Sequence, residues 1–134
     1  ARYDSALVVA DRALEADSTS LLFRLTKSSI LLNMGRYDEC VALCKELLQQ
    51  NDSLAEAYFY VGLAYFNQAI ELDKVEQRHR SKREQINTLY RDALPYLERY
   101  RALAPDQRER WLQPLYTIYL NLNMGEEFDE INRR

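Results

Sequence analysis

Apolar residues recur at intervals of three and four along most of this chain, the spacing that puts them on one face of an α-helix, and short polar breaks interrupt the pattern. From Ser20 to Met34 the run SLLFRLTKSSILLNM keeps this spacing and stops at Gly35, a residue suited to the left-handed end of a helix. A second helix is predicted from about Tyr37 to Gln50, with Val41, Cys44, Leu47 and Leu48 in one stripe. The short break between the two predicts an antiparallel hairpin.

The next start is marked by Ser53-Leu-Ala-Glu56, read as a capping box, and no breaker follows until about Arg78. A second box, Ser81-Lys-Arg-Glu84, restarts the chain as a helix to about Leu103, with a bend expected between Arg91 and Pro95. Pro105 and Asp106-Gln-Arg-Glu109 open another helix, bent at Pro114 and ending at Gly125. The last nine residues, EEFDEINRR, begin one more. Leu122-Asn-Met-Gly125 repeats Leu32-Asn-Met-Gly35 word for word, and both are expected to close the first helix of a hairpin.

The chain also repeats itself at longer range. Arg2-Tyr-Asp and Arg36-Tyr-Asp each open an amphipathic segment, RYDSALVVADRALEA and RYDECVALCKELLQQ, at a separation of 34 residues. This self-similarity resembles the tetratricopeptide repeat family, whose unit is a helix, a turn and a helix over 34 residues. Tyr58-x-x-Val61-Gly62-x-x-Tyr65 is similar to the signature of its first helix. Ala93, Leu97 and Pro105 are similar to that of its second, and Trp111 stands where the next aromatic belongs. Small Gly and Ala let helix axes approach closely while Tyr, Leu and Trp fill the spaces between hairpins. Other units depart from the pattern: the hairpin beginning near Leu21 carries Arg24, Lys27, Ser28 and Leu31 at the first-helix positions, and Pro114-Leu115 replaces Leu-Gly.

The resemblance implies an all-α, tetratricopeptide-like superhelix, a solenoid of antiparallel hairpins, as one domain over 1–134. Its parts are the second helix of a truncated repeat (1–20), a full repeat (21–54), an elongated repeat (55–107) and a partial C-terminal repeat (108–134). From Tyr65 to Ala93 is 28 residues where the family spaces them by nine, so about 19 residues are inserted and the hairpin tip is expected to project from the stack. An apolar face near Leu7, Val8 and Leu14 is left to be covered by something else or by another copy of the chain.

Function follows from the same resemblance. In such a stack the side of each first helix turned away from the packing signature lines a concave groove. That register assigns Leu25, Ser29 and Asn33 from one hairpin, Phe59, Tyr60, Leu63, Phe66 and Asn67 from the next, and Gln113, Tyr116 and Tyr119 from the last. Leu22, Leu32 and Leu112 fall beside them. A groove of this composition suits an apolar or amphipathic peptide of a protein partner, with Asn33 and Asn67 available to hydrogen-bond its backbone. Family members that grip acidic chaperone tails use Lys, Asn and Arg in the groove. Leu25, Ser29, Tyr60, Glu109 and Gln113 occupy those places, which disfavours that role. The chain reads as a non-enzymatic protein-interaction scaffold, with homo-oligomerisation without a foreign ligand as the alternative and nucleic-acid binding through the basic hairpin tip at Arg78 to Arg83 as a weaker one.

Composition supports a folded helical protein: 47% of residues are hydrophobic, 29% charged, and Gly and Pro number three each. The net charge of −3 is evenly spread. Basic and acidic residues number six and eight over 1–54, eight and eight over 55–107, and four and five over 108–134. No basic tract marks a nucleic-acid footprint apart from Arg78 to Arg83. That stretch is flanked by Glu76 and Glu84, has no interleaved aromatic, and reads as a solvated hairpin tip. No apolar run reaches bilayer length. The compartment is left open by the sequence, with a cytoplasmic setting slightly favoured over export to the periplasm or beyond. Cys40 and Cys44, four apart on one helix face, read as buried thiols acting as small hydrophobes. The single His79 and the isolated glycines supply neither a nucleophile–base pair, nor a metal site, nor a phosphate loop, so no enzyme, cofactor or metal is expected.

Overall fold

A computed structural model describes residues 2–16, 20–79 and 82–132. The described residues form seven α-helices and no strand: α1 (Arg2–Ala16), α2 (Leu21–Asn33), α3 (Tyr37–Gln50), α4 (Ala55–His79), α5 (Arg83–Leu103), α6 (Arg108–Asn121) and α7 (Gly125–Asn132). Each packs on the helix before and after it in sequence, and α2 also reaches α4.

Helix starts are set by local chemistry in only part of the chain. Ser20 caps α2 by accepting a hydrogen bond from the Phe23 amide at 3.3 Å. The box read at Ser53–Glu56 is not used: α4 begins at Ala55, the Asn51 side chain accepts from the Ser53 amide, and the Glu56 carboxylate is turned to Arg110 and Tyr60. Helix α5 starts at Arg83 after Lys82, with no side-chain cap. Ser81, Arg80 and the side chains of Glu76 and His79 lie outside the described residues, as does that of Leu14, so the second box, the Glu76–Arg80 pair and the basic tip are not part of the description. Helices α5 and α6 run on through Pro95 and Pro114, each of which deprives the carbonyl four residues earlier of its amide partner.

The twice-written Leu-Asn-Met-Gly is used in two different registers. In α2 the helix ends at Asn33, Gly35 takes φ +77°, and the Arg36 and Gly35 amides bond back to the Leu31 and Leu32 carbonyls. The same bonding pattern closes α6 two residues earlier in the motif. There Asn123 takes the left-handed place at φ 56°, the Met124 and Asn123 amides bond to the Tyr119 and Leu120 carbonyls, and Gly125 opens α7. Asn123 therefore holds a conformation that glycine adopts without steric cost. Asn123→Gly is expected to raise stability by about 0.5 kcal/mol in urea unfolding, and Gly35→Ala to lower it by about 1 kcal/mol.

Helix α4 is the shared wall of two cores. Its Ala57, Val61 and Ala64 join Leu31 and Leu32 of α2 and Cys40, Val41 and Cys44 of α3 in the first. The residues on the α3–α4 side are small, which is what lets these helices lie close. Among the described residues Ser28 is the one buried polar residue, and its hydroxyl donates to the Arg24 carbonyl at 3.0 Å. Both cysteines are free, and the neighbouring Cys44 thiol together with burial pushes the Cys40 thiol well up. The second core holds Phe59, Phe66 and Ala69 of α4, Ile86, Tyr90, Ala93, Leu97 and Tyr100 of α5, Trp111, Leu115, Ile118 and Tyr119 of α6, and Ile131 of α7.

The α4–α5 hairpin is the longest structure in the chain, and at about 1.5 Å per residue α4 spans about 37 Å. Its two strands of contact run as an antiparallel ladder: Phe59 on Tyr100 with ring centres 4.7 Å apart, Gly62 against Leu97, Phe66 on Tyr90 at 6.0 Å, and Asp73 paired with Arg83 at 2.9 Å. Helix α3 accompanies α4 only as far as Glu71, where the Tyr37 hydroxyl donates to the carboxylate at 2.7 Å.

At the other end α1 is tied to α2 by Lys27–Asp11 at 2.8 Å, and Leu7 is half-buried. Val8 and Val9 are 49% and 66% exposed, and Leu21 and Leu22 are exposed at the start of α2. No described helix is long and apolar enough to cross a membrane.

Candidate functional site

The face assigned by register from α2, α4 and α6 divides into residues that are covered and residues that are open. Phe59, Phe66 and Tyr119 are buried in the second core and present almost no surface to a partner. Phe59 and Phe66 are closed off by Tyr100 and Tyr90 of α5, and the Tyr119 hydroxyl donates to Glu98 at 3.0 Å, with burial and that carboxylate raising its pKa. Leu32 is covered too. The register places Phe59, Phe66 and Tyr119 in the groove because each lies on the side of its helix turned away from the packing signature. In the fold, α2 and α3 take one side of α4 and α5 with α6 another, leaving a narrow strip open on this face.

That strip is made by the remaining residues. Leu25 of α2 packs against the first core, Tyr60 and Leu63 of α4 touch both cores, and Tyr116 of α6 packs against the second. Ser29 lies within hydrogen-bond reach of the Tyr60 hydroxyl, which itself donates to Glu56 at 3.2 Å. Asn33 is exposed, with its amide donating to the Ser29 carbonyl at 2.9 Å, and Asn67 is half-buried. Gln113 and Tyr116 line a depression of about 210 Å³ with Arg108, Leu112 and Ile131, and the Tyr116 ring lies 4.7 Å from Phe128 of α7.

At the first turns of α4 and α6 the strip carries a polar network that the sequence does not announce. Arg110 of α6 forks onto Glu56 of α4 with contacts of 2.6 and 3.2 Å and donates to the Tyr100 hydroxyl at 2.9 Å. Its guanidinium lies 3.9 Å from the Phe59 ring centre. No local pattern announces it, because Glu56 and Arg110 are 54 residues apart and Glu56 reads locally as the closing residue of a capping box. A bidentate fork seated on an aromatic ring is rigid, so it fixes how α6 sits beside α4 and holds the Tyr60 hydroxyl in place.

Hydrogen bonding from Arg110 holds the Glu56 carboxyl below its ordinary value of 4.5, against an opposing effect of burial. A carboxyl that is more acidic in the folded than in the unfolded chain adds stability above its unfolded pKa. That contribution disappears as pH falls through the folded value. The melting temperature is therefore expected to fall on acidification below about pH 4.5, and to fall less in Glu56→Gln. Equal acid sensitivity in the two proteins would show that the bridge carries no linkage.

Among the described residues no group of His, Cys, Asp and Glu is arranged to hold a metal ion. No family model matches the chain, and none of the curated proteins compared with it matches.

Proposed function

We propose that this chain is a non-enzymatic interaction module of the tetratricopeptide kind, and that the open strip of α2, α4 and α6 takes an extended or helical peptide segment of a partner protein. The observation that carries the reading is the half-exposed row Leu25, Tyr60, Leu63 and Tyr116, set on rigid helices and edged by Ser29, Asn33, Asn67 and Gln113. Apolar anchors with a few fixed hydrogen-bonding groups are what peptide grooves present. The 34-residue self-similarity and the contact of Gly62 on Leu97, which joins the two signature helices, support the family reading.

Photo-crosslinking residues placed at Asn33 and at Gln113 are expected to capture the same partner from native extract, and one placed at the exposed Asp92 of α5 to capture none. Tyr60→Ala is expected to abolish capture while leaving helical content intact. Equal capture from Asp92, or capture that survives Tyr60→Ala, would exclude the groove.

A second reading is favoured by the large apolar side chains exposed on the first two helices, Val8 and Val9 of α1 and Leu21 and Leu22 of α2, which suit cover by another copy of the chain. Under that reading light scattering gives a dimer mass, and Val9→Glu with Leu22→Glu returns it to the monomer.

A further inference from the structure

A second cleft lies on the other side of α4. Tyr58 and Tyr65, seven residues apart, share one face of that helix. Glu56, Tyr60, Leu63 and Asn67 lie roughly 140° to 180° around it at about 100° per residue. Lys45, Leu48 and Gln49 of α3, Tyr58 of α4 and Tyr96 of α5 line a cavity of about 370 Å³. Tyr58 and Tyr96 form its aromatic wall, and Tyr65 stands next to Tyr96: Tyr96 lies 6.3 Å from Tyr58 and 6.2 Å from Tyr65, with rings inclined at 40° and 43°.

Two cations serve this wall without acidic partners. The Lys45 ammonium stands 5.7 and 6.0 Å from the Tyr65 and Tyr96 ring centres, and the Arg99 guanidinium 5.9 Å from that of Tyr58. Among the described residues neither is in an ion pair, and no carboxylate lines the cavity. By contrast the depression at the start of α3 contains Asp38 and Glu39 beside Arg36, which is already bound to Glu39 at 2.6 Å. Lys45 is steadied from below, since hydrogen bonding to Tyr65 raises its pKa and keeps it charged. The Tyr58 hydroxyl is spent on the Asp52 carbonyl at 2.8 Å. The cleft thus carries cationic donors, holds no carboxylate in its lining and is backed by apolar surface.

We propose that this cleft binds an acidic segment of a partner protein. A carboxylate or phosphate oxygen of that segment meets the Lys45 ammonium, with Arg99 beside it, and an adjacent apolar side chain lies over Leu48, Tyr58 and Tyr96. Such an oxyanion supplies the negative charge that the lining lacks, and charge-assisted hydrogen bonds are the strong ones. A nucleic acid also offers anions and stacking faces. Its binding, however, calls for a track of cations along the backbone, and this chain carries a net charge of −3 with no such track around the cleft. The assignment is independent of the peptide strip on the opposite face of α4.

The test is a titration of the isotopically labelled full chain, followed by NMR, with short synthetic peptides that share one central Phe. Its neighbours are Glu in the first peptide, phosphoserine in the second and Gln in the third. The Glu or the phosphoserine peptide, or both, should shift the Lys45 side-chain and Tyr96 ring signals, and which of them does so identifies the oxyanion. Affinity should fall with added salt and weaken about tenfold or more in Lys45→Gln. Arg99→Gln should act in the same direction, and Tyr60→Ala should leave binding unchanged. Both cations are exposed, and unchanged circular dichroism of the variants would verify that the fold is kept. Equal binding of the Gln peptide, no response to any peptide, indifference to Lys45→Gln, or tighter binding of a single-stranded oligonucleotide would each overturn the proposal.

Discussion

Replacing glycine by alanine is expected to give opposite results at Gly62 and Gly125, with the largest loss at Gly62. A Cβ built there meets Leu97 Cγ at 2.6 Å and Cδ2 at 2.7 Å, distances that no packed side chain tolerates. Leu97 is fully buried between α4 and α6, so it cannot swing aside, and the helix axes have to part. Alanine recovers about 0.5–1 kcal/mol of helix propensity, and overpacking a core costs about 1–3 kcal/mol, so the net expectation is a loss of about 1–2 kcal/mol, rising with Val. At Gly125 the added methyl meets nothing, and the change should be neutral or slightly stabilising. The cause can be isolated with a double mutant. Gly62→Ala combined with Leu97→Ala should cost clearly less than the sum of the two single changes, because the smaller residue makes room for the new methyl. Strict additivity in urea unfolding would show that the close approach does not limit stability.

Tyr90→Ala should be the most damaging single truncation in the distal hairpin, at about 3–5 kcal/mol. Toward its far end helix α4 is held to α5 by the cluster of Phe66, Ala69, Ile86 and Tyr90, with the Arg83–Asp73 pair further out. Tyr90 is wholly covered, its ring set against Phe66. Burial is the main cause of its raised pKa, so the hydroxyl stays protonated. Tyr90→Phe keeps the ring and should cost far less. A small effect of Tyr90→Ala would mean that the outer turns contribute little to the fold. The fluorescence of Trp111, buried in the same core, reports whether that loss spreads to α6.

These two expectations rest on parts of the molecule that were legible to different degrees. The extents of α3, α4 and α5 were readable within a residue or so, because each is a periodic run bounded by breaks, and the close approach at Gly62 was foreshadowed by the small-beside-large pattern. Neighbouring helices were not readable in the same way. Apolar residues around α4 told that several faces are covered, not which partner covers which. Phe59, Phe66 and Tyr119 therefore went to the groove on paper and to the core in the fold. The Leu-Asn-Met-Gly tetrapeptide shows the same limit at short range. Where α6 stops depends on Tyr119 and Leu120 receiving the Met124 and Asn123 amides, and four identical letters do not encode that choice. Arg110 and Glu56 meet only because the fold brings the first turns of α4 and α6 together, a relation that no short window of sequence contains.

The α4–α5 hairpin has one more consequence, for the order in which the chain assembles. Its two helices are joined by only a few residues and zip along a ladder of near neighbours, so closing it sacrifices little chain entropy. The outer helices have no comparable partner until α4 and α5 are in place. Folding should begin at the middle of the chain and spread toward both ends, and the slowest backbone amides to exchange with deuterium should lie around Gly62 and Leu97 rather than in α1 or α7.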